Sequence, residues 1–313
     1  MKQEVLVSIR CTAYNHAPFI RQCLDGFVMQ QTNFRFEAIV HDDASTDGTD
    51  KIVLEYAEKY PNIIVPVIEE ENQYSKGDGS LTRILDSYMR GKYIAFCEGD
   101  DYWTDPYKLQ KQVDFLETHP DYGMCHTDFN TTVRRRITPV SLKKDDIYWP
   151  SILTKGLRVG TVTAVVRADI YNNMPRLNIG KGWPIGDLPI WYEIARVSKI
   201  KYLPEITATY RIVAESASHS QSLDKVLRYE EKKLEMKRFY AKTYNVEVDE
   251  QIWERQSYEI IIRFAARNRM VDVAEKYYAE AKEKNIVSRK MQLYYYAVKC
   301  SVIGWLLRKV HLL

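Results

Sequence analysis

Glu98, Asp100 and Asp101 place three carboxylates within four residues, directly after the apolar run Tyr93-Ile94-Ala95-Phe96-Cys97. Carboxylates this close repel one another unless a cation shares them. Oxygen donors of this kind suit magnesium or manganese, and magnesium typically takes one or two carboxylates together with substrate phosphates. The competing reading is a solvated acidic turn, which the buried-strand character of the preceding run disfavours. A second polar run, Asp42 to Thr49, follows Phe36 to His41. From Asp43 it spells the opening of a calcium loop, D-x-S-x-D-G. The closing bidentate Glu would fall at Leu54, so that reading fails. Asp47-Gly48 suits a turn, with Asp47 or Thr49 as helix cap. Asp43 is left over, and a carboxylate there can accept a fixed donor such as the N3–H of uracil. Trp183 follows Gly180 and Gly182. It suits a platform for a sugar ring, or else a partly buried aromatic. Lys76 and Arg83 are cations that can approach phosphates or stay solvated.

The elements that must position these residues alternate. Strands read at Val5 to Arg10, Phe36 to His41, Ile63 to Ile68 and Tyr93 to Glu98. Helices read at Phe19 to Met29, Thr49 to Tyr60 and Leu81 to Arg90. Such alternation implies a parallel sheet covered on both faces. Ligands of open parallel sheets bind beyond the carboxyl ends of the strands, where Thr12, Tyr14, Asp43 and the acidic cluster all fall. No G-x-G-x-x-G follows the first strand, which disfavours a dinucleotide site. Further on, a helix is expected over Tyr107 to Thr118 and another over Asp187 to Val197. Strands are expected over Gly123 to Thr127 and Val159 to Val166, with short ones near Lys201-Tyr202 and Thr207 to Tyr210. Residues 128–158 read as a polar, irregular surface excursion. After about Ser220 the pattern is helical, broken near 246–249, 268–270 and 285–288.

Taken together, Tyr14-Asn15, Asp42-Asp43 with Ser45 and Asp47-Gly48-Thr49, and Glu98-Gly99-Asp100-Asp101-Tyr102-Trp103 resemble the family 2 glycosyltransferases with the GT-A fold. The resemblance covers roughly residues 5–220. It implies an α/β fold, a Rossmann-like mixed sheet flanked by helices, and inverting transfer of a hexosyl group from a nucleotide-diphospho-sugar such as a UDP-sugar. It implies that Thr12, Tyr14 and Asp43 face the base and ribose. The family's D-x-D position falls on Glu98-Gly99-Asp100. Glu is one methylene longer than Asp, so Asp100 and Asp101 are taken as the metal side of the cluster, with Asp100 also nearest the nucleotide. Asp187 matches the catalytic base by position, although a helix N-cap is the plainer use of that residue. Glu193 and Asp169 are rival bases. Arg211 and His219 match the closing loop that meets the diphosphate and completes the metal shell, where imidazole favours Mn2+ over Mg2+. Arg83 is a further nucleotide contact, and the acceptor is a saccharide or lipid-linked hydroxyl, as in surface polysaccharide assembly. A catalytically silent nucleotide-sugar module and a metal-dependent phosphohydrolase are the alternatives.

The formal net charge of +3 is too near balance for a nucleic-acid partner. Five scattered cysteines without a C-x-x-C pair argue against zinc and a disulfide framework, and for a reduced, cytoplasmic setting. No signal peptide or bilayer-spanning run is expected. No Asp or Glu follows Glu283, while Lys284, Arg289, Lys290, Lys299, Arg308 and Lys309 do. Interleaved with Leu293, Tyr294, Val298, Val302, Trp305 and Leu306, these cations suit a helix over 288–313 lying on an anionic membrane. The alternative is packing on its own domain or on a twin subunit in a homodimer. Two domains are expected, a transferase domain over 1–220 and a helical module over 221–313.

Overall fold

The computed structural model describes residues 4–133, 136–140, 147–155, 159–183, 185–213, 222–300 and 304. Contacts divide the chain into two compact units, 1–213 and 214–313.

The first unit begins β1 (Val5–Ala13), α1 (Ile20–Val28), β2 (Arg35–Asp42), α2 (Thr49–Lys59), β3 (Ile64–Ile68), α3 (Ser80–Tyr88), β4 (Tyr93–Phe96). The alternation of these strands explains the two-sided sheet. β1 buries Val7, Ile9, Cys11 and Ala13, every second residue, in one core. β2 sends Ala38 and Val40 to that core and Ile39 to the opposite one, where it meets Val67 and Leu85. α1 covers the first core with Ile20, Cys23, Leu24 and Phe27, at helical spacing.

The chain continues through β5 (Tyr102–Trp103), α4 (Lys108–Thr118), β6 (Tyr122–Val133), β7 (Arg136–Val140), α5 (Ser151–Lys155), β8 (Val165–Arg167), α6 (Ala168–Asn173), α7 (Leu188–Val197) and β9 (Lys199–Arg211). Among the described residues the sheet runs β3-β2-β1-β4-β8-β6-β9-β5, with β7 paired to β6. The first four are parallel; β8 runs antiparallel to β4 and β6. The result is the expected mixed sheet flanked by helices, with helices following.

Three expectations need correction. The described residues within 128–158 are largely regular: β6 runs on to Val133, pairs with β7, and is followed by α5, whose Ile152 and Leu153 are buried. The polar composition reflects a hairpin at the sheet margin, wet on much of its surface. The single strand over 159–166 is instead a 3₁₀ turn, Thr161–Thr163, before β8. The two short strands after 200 are one strand, β9. Thr127 pairs with Leu203 and Asp128 with Ile206, so Pro204 and Glu205 bulge out, as a residue without an N–H must.

The second unit contains α8 (Leu223–Thr243), α9 (Glu250–Asn268), α10 (Val271–Glu283) and α11 (Arg289–Lys299). Asp249 caps α9 by accepting from the Gln251 N–H at 3.0 Å, and Ser288 caps α11 by accepting from Met291 at 3.1 Å. In α11, Met291 and Tyr294 are buried with Ile262, Ala266, Tyr278 and Ile286, and Val298 packs against them. Packing on its own unit therefore takes part of the face assigned above to a membrane. Val302, Trp305, Leu306, Arg308 and Lys309 lie outside the described residues. No helix among the described residues is long and apolar enough to cross a membrane.

Candidate active site

The loops that leave β1, β2 and β4 are laced together by hydrogen bonds. Gly99 donates its N–H to the Thr12 carbonyl at 2.8 Å, and Asp43 donates to the Ala13 carbonyl at 2.9 Å. Asn15 donates to Ser45 Oγ and accepts at Oδ1 from the Thr46 N–H, both at 2.8 Å. Asp47 holds both sides, accepting from the Ala17 N–H and from Thr49. Asn15 and Ala44 adopt left-handed backbone, with φ 54° and 62°. Asn tolerates that geometry and Ala does not, so the β2 loop stores strain of the kind found at binding loops.

The acidic loop follows β4. Gly99 is required there: a Cβ would lie 2.9 Å from both His16 Nδ1 and Ile20 Cδ1. A methyl there would have to displace these neighbours or push the loop off β1. Ligand oxygens of Glu98, Asp100 and Asp101 all lie within 4.8 Å of one another. Asp101 is buried and accepts from the Arg211 N–H at 2.8 Å. Asp100 Oδ1 is buried and has no hydrogen-bond partner among the described residues. Burial, then the charges of Asp100 and Asp187, push the Glu98 carboxyl up to about 7. Solvent reaches one side of Glu98, so the crowding around it is partly screened. Asp101 is likewise pushed well up, first by burial and then by Asp100 and Glu98. An orphaned buried carboxylate oxygen beside two others is what a divalent cation would relieve. The donor set, all oxygen, fits Mg2+ or Mn2+.

Arg211 braces this loop rather than standing free. Its guanidinium donates to the Asp100 carbonyl and to Gln22 Oε1, and lies 4.4 Å from the centre of the Tyr102 ring. His16 belongs here too. Its Nδ1 is buried without a partner among the described residues, and burial lowers the imidazole's proton affinity despite the Asp100, Asp47 and Asp42 charges.

Asp187 stands at the N-cap of α7, but its side chain makes no cap bond. It accepts instead from Thr161 Oγ1. The Asp187 charge is near enough to the acidic loop to help raise Glu98.

The glycosyl transferase family 2 model matches residues 8–171, just over half of the chain and the whole run of loops described above. The chain belongs to glycosyl transferase family 2. It is 36% identical over 227 residues to an uncharacterized protein of Mycobacterium tuberculosis, a match that covers 70% of this chain and 62% of that protein. The chain therefore spans less than two thirds of the length of that relative. It is 31% identical over 220 residues to the UDP-Glc:alpha-D-GlcNAc-diphosphoundecaprenol beta-1,3-glucosyltransferase WfgD of Escherichia coli, covering 70% of this chain and 81% of that protein. Two solved structures share the fold: S. aureus TarS 1-349 in complex with UDP-GlcNAc (TM-score 0.54, 17% identity, 94% of this chain and 92% of that one) and the mannosyltransferase PcManGT from Pyrobaculum calidifontis in complex with GDP-Man and Mn2+ (TM-score 0.57, 15% identity, 98% and 87%).

In this family 2 member the residues singled out from the sequence are not all brought together. Thr12, Asp43, Asp100, Asp101 and Arg211 are joined through the laced loops, and Asp187 acts on the same cluster. Tyr14 is exposed at the rim. Asp43 is already engaged: its carboxylate accepts from the Gln73 N–H at 2.6 Å and the Tyr74 N–H at 3.0 Å, holding a 3₁₀ turn that presents the exposed Tyr74. Arg83 bonds the Asp78 carbonyl at 2.7 Å, and Lys76 pairs with Glu71 at 3.2 Å. Trp183 is half-buried and follows two left-handed glycines, Gly180 and Gly182. The rival bases Asp169 and Glu193 line a separate depression of about 260 Å³, where Glu193 pairs with Arg196 at 3.2 Å. His219, with Ser216 and Ser218, lies outside the described residues. Four free cysteines, Cys11, Cys23, Cys97 and Cys125, are buried. The sequence reading missed His16, Gln22 and Thr161. Only His16, directly after Tyr14-Asn15, sat where a signal could have been read.

Proposed function

We propose that the chain is a metal-dependent, inverting glycosyltransferase that moves a sugar from a nucleotide-diphospho-sugar to a hydroxyl of a saccharide or lipid-linked acceptor. The observation that carries this reading is the partnerless Asp100 Oδ1 within the Glu98, Asp100, Asp101 group, with a second, separately held carboxylate, Asp187, acting on it. Asp100 and Asp101 would hold Mg2+ or Mn2+, and such an ion supplies neutralisation of the charge on a departing diphosphate. The protein's own part is positional. Thr161 donates to Asp187 and leaves the other carboxylate oxygen to take the proton of an acceptor hydroxyl. Direct displacement by that hydroxyl, on the face opposite the leaving diphosphate, inverts the anomeric carbon. Arg211 fixes the acidic loop through the Asp100 carbonyl, so the carboxylates need not reorganise as charge develops. Tyr14 and Tyr74 offer exposed rings for the base, and Trp183 is the candidate platform for sugar or acceptor.

A UDP-sugar is the proposed donor, supported by the UDP-Glc donor in the name of the E. coli relative. Asp43 retains acceptor capacity for an N3–H, since each carboxylate oxygen can accept more than one bond. The same relative's diphosphoundecaprenol acceptor supports a lipid-linked acceptor and a place in surface polysaccharide assembly. A lipid-linked acceptor would place the proposed reaction at a membrane surface. The test is a panel of nucleotide sugars assayed for nucleoside diphosphate release, with Mn2+ and with chelator. Metal-dependent release of nucleoside diphosphate with a glycosylated product supports the reading. Release of sugar phosphate would mark a phosphohydrolase, and binding without turnover a silent module.

A further inference from the structure

A buried cation lies against the strand that continues the acidic loop, and nothing in the proposed reaction uses it. Lys108 opens α4 and is fully buried, as is Gln112 one turn on. Trp103, two residues after Asp101, is buried beside them. The ammonium donates to Gln112 Oε1 at 2.6 Å and lies 4.4 Å from the centre of the Trp103 ring. Lysine is among the residues least often buried whole, and a volume-matched apolar side chain commonly serves stability as well or better. Burial pushes this ammonium down to about 7. Stability alone therefore gives no reason for a cation here.

The two groups it touches lead to one place. Trp103 Nε1 donates to the Val162 carbonyl at 2.8 Å. Gln112 Nε2 donates to the Thr163 carbonyl at 2.9 Å and to the Cys125 carbonyl at 3.3 Å. Val162 and Thr163 are the second and third residues of the 3₁₀ turn whose first residue, Thr161, donates to Asp187. The chemistry of the amide explains why the cation matters. A glutamine amide has an accepting end and a donating end that are nearly equal in shape. The protonated amine, the form favoured below about pH 7, only donates, so it holds Oε1 toward itself and Nε2 toward Thr163. Without it the amide can turn over, setting an acceptor against an acceptor at that carbonyl. The same charge holds the indole face.

We propose that Lys108 is a positioning residue: through Trp103 and Gln112 it fixes the Thr161–Thr163 turn, and so sets Asp187 relative to the acidic loop. This rests on the reading of Asp187 as the base. Misplacement of a reacting group by about 1 Å can lower a rate about 100-fold.

The experiment compares Lys108→Met, Trp103→Phe, Thr161→Ala and the Lys108→Met/Thr161→Ala double variant in the full chain. Turnover is measured on the nucleotide sugar that the parent uses, and affinity on whichever of UDP and GDP binds the parent. Lys108→Met should melt at or above the parent's temperature and bind the nucleotide within about twofold. Its kcat should fall about 10- to 100-fold with little change in donor KM. Trp103→Phe keeps a ring under the ammonium but loses the bond to Val162, and should show the same split. The double variant should be no slower than the slower single one, because all act on one turn. Unchanged kcat in Lys108→Met, a loss of nucleotide affinity matching the loss of rate, or losses that multiply in the double variant would overturn the proposal. If Lys108→Met does not fold, Lys108→Gln, alone and paired with Thr161→Ala, decides by the same criterion. Asp187→Asn is run alongside: full turnover there removes the base assignment itself, a result distinguishable from any failure at Lys108.

Discussion

Replacing Glu98 by Gln should make the metal-free protein more stable and the enzyme worse. The Glu98 carboxyl is raised to about 7 by burial and by the charges of Asp100 and Asp187. A carboxyl whose folded pKa exceeds its unfolded value binds its proton more tightly in the folded chain. Between the ordinary carboxylate range and about pH 7 the folded state holds more protons, so stability falls as pH rises through that window, and above it the full penalty is present. Taken at face value the shift corresponds to roughly 3 kcal/mol. One side of Glu98 meets solvent, and screening reduces this to about 1 kcal/mol. In a unit of this size that is a rise of roughly 2–4 °C in melting temperature. The assay is thermal melting of parent and Glu98→Gln in chelator at pH 8 and pH 5. The variant should melt higher at pH 8, with a clearly smaller gain at pH 5. With Mn2+ at pH 8 the variant's advantage should shrink, because a cation held by Asp100 and Asp101 offsets the crowding that Glu98 suffers in the parent. An equal gain at both pH values, or a loss at pH 8 in chelator, would refute the reasoning.

Other outcomes follow from the same geometry. Asp187→Asn should lower turnover by about 10²–10⁴-fold while nucleotide affinity, measured by calorimetry, stays within twofold or so. Arg211→Ala removes the brace on the Asp100 carbonyl and should weaken Mn2+ affinity about 10- to 100-fold, the usual effect of losing a group that orients a ligand loop. Gly99→Ala drives a methyl against His16 and Ile20, and should destabilise by about 1–3 kcal/mol in denaturant titration, with metal affinity falling as the loop is displaced. Asp43→Asn places an amide NH2 against one of two backbone donors, so the Tyr74 turn should loosen and donor affinity fall about tenfold, at least the worth of one charge-assisted bond.

Much of the fold was legible in the sequence because β1, β2 and β4 are short apolar runs buried along most of their length, as strands of a sheet covered on both faces are, and because helices with apolar faces separate them. The place of the acidic loop was legible too, since strand ends gather at one rim whatever the side chains. Beyond Trp103 the signal weakened. β6, β7 and β9 are strands whose polar faces and bulge at Pro204 hide the period. The contents of the site were readable where a residue follows a strand directly, as Asp43 and Asp100 do. They were not readable where a partner comes from a distant segment. Thr161 meets Asp187 only because a short turn inserts between β6 and β8, and Arg211 braces Asp100 only because β9 pairs with β5. Asp187 could be seen as a cap or as a base. The structure shows its side chain making no cap bond, a fact of rotamer and neighbour that spacing does not carry. Asp43 looked unoccupied because its two backbone donors lie 30 and 31 residues on.

The central claim is that the loop after β4 holds a divalent cation shared with a nucleotide diphosphate. The most direct measurement is calorimetric titration of Mn2+ into the parent and into Asp100→Asn, each with and without UDP. The account predicts one Mn2+ site in the parent, tightened by UDP, and its loss in Asp100→Asn with the fold intact by melting. Equal Mn2+ binding by both proteins, or UDP binding that ignores the metal, would contradict it.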